Sequence, residues 1–439
     1  MRIGYCSPFN PMKSGISDFS EELVQVLKDY NEIVIFSPVK PSRSEILNGF
    51  EWHLLSELDD EALRSTLDVI VYHVGNNVIY HGEIVDMLQK YPGIVELHEV
   101  GLHHLAAGQL LEKRGKQAYL ELLRYCHGDW GVSIAEAFFR GEKEDSPWNR
   151  PLELCMNRHI IEAATGVIVH SDMVKQMVLG VRDDVPITVI YLHTDCISGK
   201  IEDWQRACRE KLHLPAQKLI FGSFGFATES KRIIPTLDAL QRFREKQKDF
   251  LYVIVGKAAE NLNLPEEIKK RNLADNVKVT GFASLEDFKL YLGACDFCLN
   301  LRYPTQGESS ASLHRMMGMG KPPVVTDIGT FSDYPDDVAL KVRYDEHEVD
   351  DIAQAITLLA CSKDERKKRG AAAMRFAAEN CDLHDNAKKY AAFFERVKYG
   401  TWQPDHEDVL IGRLCELGLT DENYLAHIWE MGFSSSERK

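Results

Sequence analysis

The sequence predicts an α/β protein made of two open, mostly parallel sheets wrapped by helices. Short runs of β-branched and other apolar residues recur from end to end without polar alternation, as expected of parallel strands covered on both faces. Longer amphipathic stretches separate them, the βα alternation of an open sheet. The alternation pauses once, in a charged stretch between about residues 195 and 215, so two such series are joined in the middle.

In the first series the strand candidates are Met1–Cys6, Glu32–Phe36, Val69–His73, Ile94–His98, Gly166–His170 and Thr188–Leu192. In the second they are Leu219–Ser223, Tyr252–Val255, Val277–Thr280, Phe297–Leu301 and Pro323–Thr326. Helical patterns fall between them, including Asp18–Lys28, Ile233–Lys248, Leu285–Ala294 and Ser309–Gly318. The expected organisation is an N-terminal domain over 1–196, a linker over 197–214 and a second domain over 215–380. A helical segment over 381–439, carrying Trp402 and Trp429, is expected to pack back across them. Open sheets bind ligands outside the carboxyl ends of their strands, so a shared cleft at those ends is the expected site.

With 439 residues the chain is too long for one ordinary core and suits two or three domains. A net charge of −15 argues against broad nucleic-acid binding, which needs a basic footprint. No apolar run approaches the roughly 20 residues that span a bilayer. Met1–Tyr5 leads straight into a strand without an apolar leader, which points to the cytoplasm. The ten cysteines are expected to be reduced. Cys295 and Cys298 have no second pair or histidines at ligand spacing and read as buried structural thiols. Lys113-Arg114-Gly115-Lys116 with Arg124 reads as a solvated helical face or as a small patch for peripheral membrane contact.

The densest motif is Asn300-Leu301-Arg302-Tyr303-Pro304-Thr305-Gln306-Gly307-Glu308-Ser309-Ser310. A strand ends, a loop with proline and glycine follows, and a helix begins at Ser309 or Ser310. Unpaired N–H groups and the dipole of a helix start suit a diphosphate. Glu308 at its mouth could accept hydrogen bonds from sugar hydroxyls, and Arg302 could add a bidentate phosphate contact. The same residues read equally well as a capped helix after a turn. Gly222–Arg232 repeats the design: glycines let an anion approach the backbone, and Lys231 supplies a point charge. Its spacing is neither the Walker pattern nor the dinucleotide fingerprint. In the first half, Ser7–Asp18 lies in the corresponding βα connection.

Leu97-His98-Glu99-Val100-Gly101-Leu102-His103-His104 concentrates histidines. A helical zinc motif needs them at i and i+4. His98 and His103 are five apart, about 140° around a helix, so no metal is expected from this run. His98 is expected to point into the cleft from a strand end or to be packed structurally; His103 and His104 are expected to be structural or to line the wall.

On these motifs the chain resembles glycosyltransferase family 4. The resemblance covers about residues 1 to 380 and includes Ser14-Gly15-Ile16-Ser17-Asp18-Phe19, Leu97-His98-Glu99, Val167–Ser171, Val253-Ile254-Val255-Gly256 and Val279-Thr280-Gly281-Phe282. Its most specific part runs from Gly307-Glu308-Ser309-Ser310-Ala311 to Gly320-Lys321-Pro322-Pro323-Val324-Val325-Thr326-Asp327. It implies the GT-B fold, two Rossmann-like domains facing a central cleft. It also implies a retaining transferase that moves a hexosyl unit from a GDP- or UDP-sugar to a glycan or lipid-linked acceptor, without cofactor or metal. Lys231 would be the donor-phosphate lysine, Glu308 would hold sugar hydroxyls and His98 would contact the transferred sugar; these three are the expected catalytic set. Gly15, Gly225, Arg232, Gly256, Thr280, Gly281, Phe282, Arg302, Gly307, Ser309 and Ser310 are the donor-binding candidates, and Ser14, Ile16, Asn76 and Glu99 the acceptor-side ones.

The chain departs from the family twice. Phe226 stands where the partner phosphate arginine is expected, leaving Arg302 or Arg232 to replace it. Arg315 stands where the ribose-binding glutamate is expected, and Glu308 lies one position beyond the usual first glutamate. A GT-B epimerase or phosphorylase, and a degenerate GT-B subunit that binds glycan or a partner enzyme, are the alternatives.

Overall fold

The computed structural model describes residues 1–41, 48–403, 408–410 and 414, which fall into two compact units. The first holds Met1–Ile190, Gln306–Glu308 and the described residues from Ala387 onward; the second holds Tyr191–Thr305 and Ser309–Asn386. Trp429 and most of the expected C-terminal helical segment lie outside the described residues.

The first unit carries β1 (Arg2–Cys6), β2 (Glu32–Ser37), β3 (Glu51–Leu54), β4 (Val69–Val74), β5 (Ile94–Leu97), β6 (Gly166–Val169) and β7 (Ile187–Val189). They form one parallel sheet in the order β3-β2-β1-β4-β5-β6-β7. The second unit carries β8 (Leu219–Phe224), β9 (Phe250–Val255), β10 (Val277–Val279), β11 (Phe297–Asn300), β12 (Pro323–Thr326) and β13 (Leu340–Val342). Their parallel order is β10-β9-β8-β11-β12-β13. The strand order reverses between β1 and β4 in one sheet and between β8 and β11 in the other. Those crevices, at the carboxyl ends, are where an open sheet offers a ligand site.

Eleven strands stand where the apolar runs predicted them, with ends moved by at most three residues. The sequence pattern misses β3 and β13, both at sheet edges. A strand covered by one neighbour needs no continuous apolar run: in β3, Glu51, Trp52 and Leu54 are exposed. The helix expected from Ser309 begins at Ala311, because Ser310 takes the N-cap position and its hydroxyl accepts from the Leu313 N–H at 3.3 Å.

The charged stretch read as a linker is a packed part of the second unit. Its helix, Ile201–Lys211, lies against the Leu285–Ala294 helix, where Gly293 permits the close approach: a Cβ there would sit 2.6 Å from Cys208 Sγ. Buried Arg209 fastens this helix to the sheet. Its guanidinium donates to the carbonyls of Ala294, Ala216 and Lys218 and to Asp296 Oδ2 at 2.9 Å, while Asp296 also accepts the β8 amide of Ile220 at 2.8 Å. Cys295 and Cys298 next to it are buried thiols, as expected. The last long helix, Leu383–Tyr399, starts in the second unit and continues in the first from Ala387. There Gly166 gives it room, since a Cβ at that position would lie 2.8 Å from Val397 and 3.2 Å from Phe393. Among the described residues no helix is long and apolar enough to cross a membrane.

Arg209→Ala strands the Asp296 carboxylate with few donors in a largely dry setting, and is expected to lower the unfolding free energy by about 3 kcal/mol or more. Arg209→Lys recovers little, because one ammonium cannot replace a fork that serves four acceptors. Urea unfolding followed by circular dichroism measures both.

Candidate active site

In the second unit the chain crosses itself at the carboxyl ends of β8 and β9. The Gly225 amide donates to the Val255 carbonyl at 2.9 Å, and a Cβ on Gly256 would fall 2.2 Å from the Gly225 oxygen. Gly225 and Gly256 adopt φ of +92° and +139°, so glycine is required at both by backbone conformation and at Gly256 also by contact. The crossing brings Lys231 beside the start of the Ala311–Gly318 helix. A Cβ on Gly225 would stand 3.5 Å from Lys231 Nζ and 3.8 Å from Ser312 Oγ, and the ammonium donates to the Phe224 carbonyl at 3.1 Å. An ammonium, a glycine backbone and a helix N-terminus thus converge at the β8/β11 crevice, a constellation suited to a phosphate group.

Thr280 and Gly281 close one side. Thr280 donates its amide to Ile254 O at 3.0 Å, its hydroxyl accepts from the Gly256 N–H at 3.3 Å, and Gly281 bridges to Gly256. Phe282 beyond them is 87% exposed, a bare ring beside this loop. On the other side Arg302 follows β11 and donates its amide to Thr326 Oγ1 at 3.0 Å. Arg232 does not meet the expectation of a spare phosphate cation. Its Nε and Nη2 donate to Glu348 at 2.8 and 2.5 Å and its guanidinium lies over Tyr344, which itself stacks on Tyr303. Phe226, at the position of the missing arginine, is 54% exposed.

Gln306–Glu308 belong to the first unit. The Gln306 carbonyl accepts from the Val100 and Gly101 amides at 3.1 and 2.8 Å, and its side chain takes the Asn76 amide at 2.5 Å. Gly307 is required here, since a Cβ would meet Val100 at 2.3 Å. Half-buried Glu308 folds back to accept from the Gln306 N–H at 2.6 Å. Asn76 also binds the Leu105 amide at 2.9 Å, and Glu99 accepts the Asn76 amide at 3.3 Å. At the β1/β4 crevice, Ser14 caps the Gly15–Leu27 helix, which therefore starts three residues before the predicted one. Ile16 meets Gly75, so Ser14, Gly15, Ile16, Asn76 and Glu99 share this end of the sheet with Gln306–Glu308.

His98 is packed, the second of the two placements expected for it. It is 8% exposed, and both ring nitrogens face histidines: Nε2 lies 3.1 Å from His73 Nδ1, and Nδ1 lies 3.3 Å from His170 Nε2. Beneath them sits Glu96, fully buried, its Oε1 taking the Tyr390 hydroxyl at 2.8 Å. Burial pushes the Glu96 carboxyl up to about 8 and holds His73 and His98 well below the usual imidazole value. The rings of Tyr5 and Phe19 cover the cluster. His73, Glu96 and His98 offer metal-ligand atoms within 4.8 Å of one another.

Residues 205–376 match the family model of glycosyl transferases group 1. The matched stretch lies in the middle of the chain and contains the Lys231 crossing and the Ala311–Gly318 helix. No curated protein matches the chain. Solved structures are similar across nearly its full length. Sucrose-phosphate synthase from Thermosynechococcus elongatus is 14% identical, with TM-score 0.61, covering 91% of this chain and 100% of its own. Anabaena HepE in complex with UDP is 16% identical, with TM-score 0.62, covering 90% and 100%. A glycosyltransferase from Rickettsia africae is 14% identical, with TM-score 0.61, covering 90% and 98%. The two Rossmann-like parallel-sheet units are those of the GT-B fold.

The sequence pattern brought out His98 but not its partners Glu96, His73, His170 and Tyr390. A usable signal was present: β4, β5 and β6 each carry a histidine at or just past the carboxyl end. His103 is structural. Its Nε2 meets Tyr119 Oη at 2.6 Å and its Nδ1 the Leu154 carbonyl at 2.8 Å. The basic run Lys113–Arg114 lines a hollow of about 1030 Å³ together with Glu83, Asp86 and Glu121, and Arg124 pairs with Asp129, so this patch is balanced locally.

Burial holds His103 down to about 4, and His81, His127 and His159 likewise. Above about pH 6.5 these rings are neutral folded or unfolded. Below it the unfolded chain binds protons that the folded one refuses, so stability falls from pH 6.5 towards 4. His103→Gln is expected to reduce the loss between pH 7 and 4.5 by about 2 kcal/mol, as read by chemical unfolding at the two pH values.

Proposed function

We propose that the protein is a retaining glycosyltransferase that moves a hexosyl unit from a nucleotide-diphosphate sugar to a hydroxyl of a glycan or lipid-linked acceptor. The observation that carries this reading is the convergence of Lys231, Gly225 and the Ser310-capped helix at the β8/β11 crevice, inside the stretch matching group 1 glycosyl transferases. Similarity in fold to HepE, seen with UDP and with UDP-glucose, favours a UDP-sugar over a GDP-sugar.

In this reading the bond from the anomeric carbon to the β-phosphate oxygen breaks, and negative charge grows on the departing diphosphate. Lys231 and the helix N-terminus neutralise it where water is excluded. Arg302 is the arginine left to assist, because Arg232 is committed to Glu348. Glu308 orients sugar hydroxyls. The acceptor oxygen attacks from the leaving-group face, and the phosphate takes its proton, so no protein base is assigned. His98, with both nitrogens engaged, acts as a positioning residue for the end of β5. Work at the inner face of a membrane, in surface polysaccharide synthesis, fits a lipid-linked acceptor.

A second reading has its own support. Phe226 replaces the phosphate arginine and Arg232 is paired, which fits a subunit that binds sugar nucleotide or glycan without transferring it.

Thermal shift against UDP- and GDP-sugars, followed by product analysis with simple acceptors, separates the two. Lys231→Ala is expected to weaken the stabilising nucleotide about 10–100-fold, the worth of a charge-assisted contact. Glu308→Ala should impair sugar-nucleotide binding more than binding of the bare nucleotide. An α-linked donor giving a β-linked product would overturn retention. Binding with neither transfer nor donor hydrolysis would leave the second reading standing.

A further inference from the structure

The buried cluster of the first unit has a directional logic that the proposed transfer reaction does not use. His170 Nδ1 lies 2.7 Å from the Ile190 carbonyl, which can only accept, so this nitrogen carries the proton. In the neutral ring Nε2 is then bare and accepts from His98 Nδ1 at 3.3 Å. His98 Nε2 is bare in turn, and its lone pair is directed at His73 Nδ1, 3.1 Å away. Glu96 brings its carboxylate to the same point, with Oε2 3.4 Å from His73 Nδ1 and Oε1 3.7 Å from His98 Nε2. Oε1 takes the Tyr390 hydroxyl, whereas Oε2, fully buried, makes no hydrogen bond among the described residues.

A buried carboxyl in a protein is kept protonated, paired with a cation or bound to a metal. The groups around this carboxyl are three histidines and two tyrosines, Tyr5 and Tyr390, and among the described residues no lysine or arginine pairs with it. His73 Nδ1 lies 3.1 Å from His98 Nε2 and 3.4 Å from Glu96 Oε2, close to the edge of about 3.3 Å that a tetrahedral site with bonds of about 2.0–2.1 Å requires, and Oε1 of the same carboxylate is 3.7 Å from His98 Nε2. The outer contacts are those of a metal centre as well: His98 is oriented through its other nitrogen by His170, which is held by a carbonyl, and Glu96 is held by Tyr390.

We propose that His73 Nδ1, His98 Nε2 and Glu96 bind one divalent transition-metal ion, with zinc the best match to two imidazoles and a carboxylate at tetrahedral spacing. The ion takes the place of the proton between the two histidines, which moves to His73 Nε2, a buried nitrogen with no hydrogen-bond partner among the described residues, and the Glu96 carboxyl gives up its proton to solvent as the ion binds. Three protein atoms leave the fourth position to water. The ligands come from β4 and the segment that begins with β5, so the ion clamps neighbouring strand ends beneath the rings of Tyr5 and Phe19. The inference stands on the first unit alone and does not depend on the transfer reaction.

The test uses the full chain with any affinity tag removed, stripped with a chelator and titrated with zinc chloride, and separately with cobalt(II) as a spectroscopic stand-in. The expected result is one zinc per chain retained through gel filtration, a raised Tm, and the intense visible bands of tetrahedral cobalt. Glu96→Gln and His73→Gln should each weaken zinc at least 10-fold, and His170→Gln, which removes only an outer contact, by about 10-fold. His104→Ala, an exposed neighbour, should change nothing. Folded wild-type protein that retains no zinc and gives no tetrahedral cobalt spectrum overturns the site. So does zinc bound with the same affinity by wild type, Glu96→Gln and His73→Gln, which would place it on surface histidines. Should those substitutions prevent folding, the wild-type cobalt spectrum decides alone.

Discussion

A carboxylate without solvent lies at the centre of the first unit, and much of that unit is arranged to tolerate it. Glu96 sits on β5, in the middle of the sheet, where a parallel strand covered on both faces ordinarily carries aliphatic residues. Its neighbours are drawn from β4, from the segments after β5 and β6, and from the Leu383–Tyr399 helix through Tyr390. Satisfying one buried acid therefore fixes the ends of three adjacent strands and the seat of the last helix. An unmade contact to such a group costs far more than an average hydrogen bond returns, so these elements are ordered together.

The second unit solves a different problem, close approach. Gly225 and Gly256 let two strand ends cross with backbone atoms in contact, and the crossing delivers Lys231 to the start of the Ala311–Gly318 helix. The two glycines do not themselves bind charge; they remove the side chains that would keep charge-bearing groups apart. On the flank, the Arg232–Glu348 pair, with Tyr344 and Tyr303 stacked beside it, supports the turn from behind. The arginine adjacent to Lys231 in sequence is thus a prop for the loop.

What the sequence makes legible follows what is local. Continuous apolar runs mark β1, β4, β5, β6, β8, β9, β11 and β12 because each is covered on both faces. The edge strands β3 and β13 escape, being half exposed and short. Lys231, Gly225 and Ser310 can be read because helix starts and glycine turns leave marks within a few residues. The Glu96 cluster cannot be read in that way. Glu96 and Tyr390 alone are 294 positions apart, and only the fold makes them neighbours. Counting spacings around His98 looks along the chain, whereas its partners stand across the sheet. Arg209 is the converse case: its helix reads in sequence as a charged stretch joining two series, and the four acceptors that its guanidinium closes leave no local mark.

The first unit is assembled from Met1–Ile190, Gln306–Glu308 and the described residues from Ala387 onward, while the second is drawn from the span between Ile190 and Ala387. Chains emerge from the ribosome N-terminus first, and domains tend to fold as units as they appear. The second unit is complete once Asn386 has emerged. The first, although begun earlier, must wait for Tyr390, Phe393 and Val397 to cover Glu96 and the β6 glycine. Its sheet is therefore held half-covered while the second unit is made, and the unit begun first is the unit finished last.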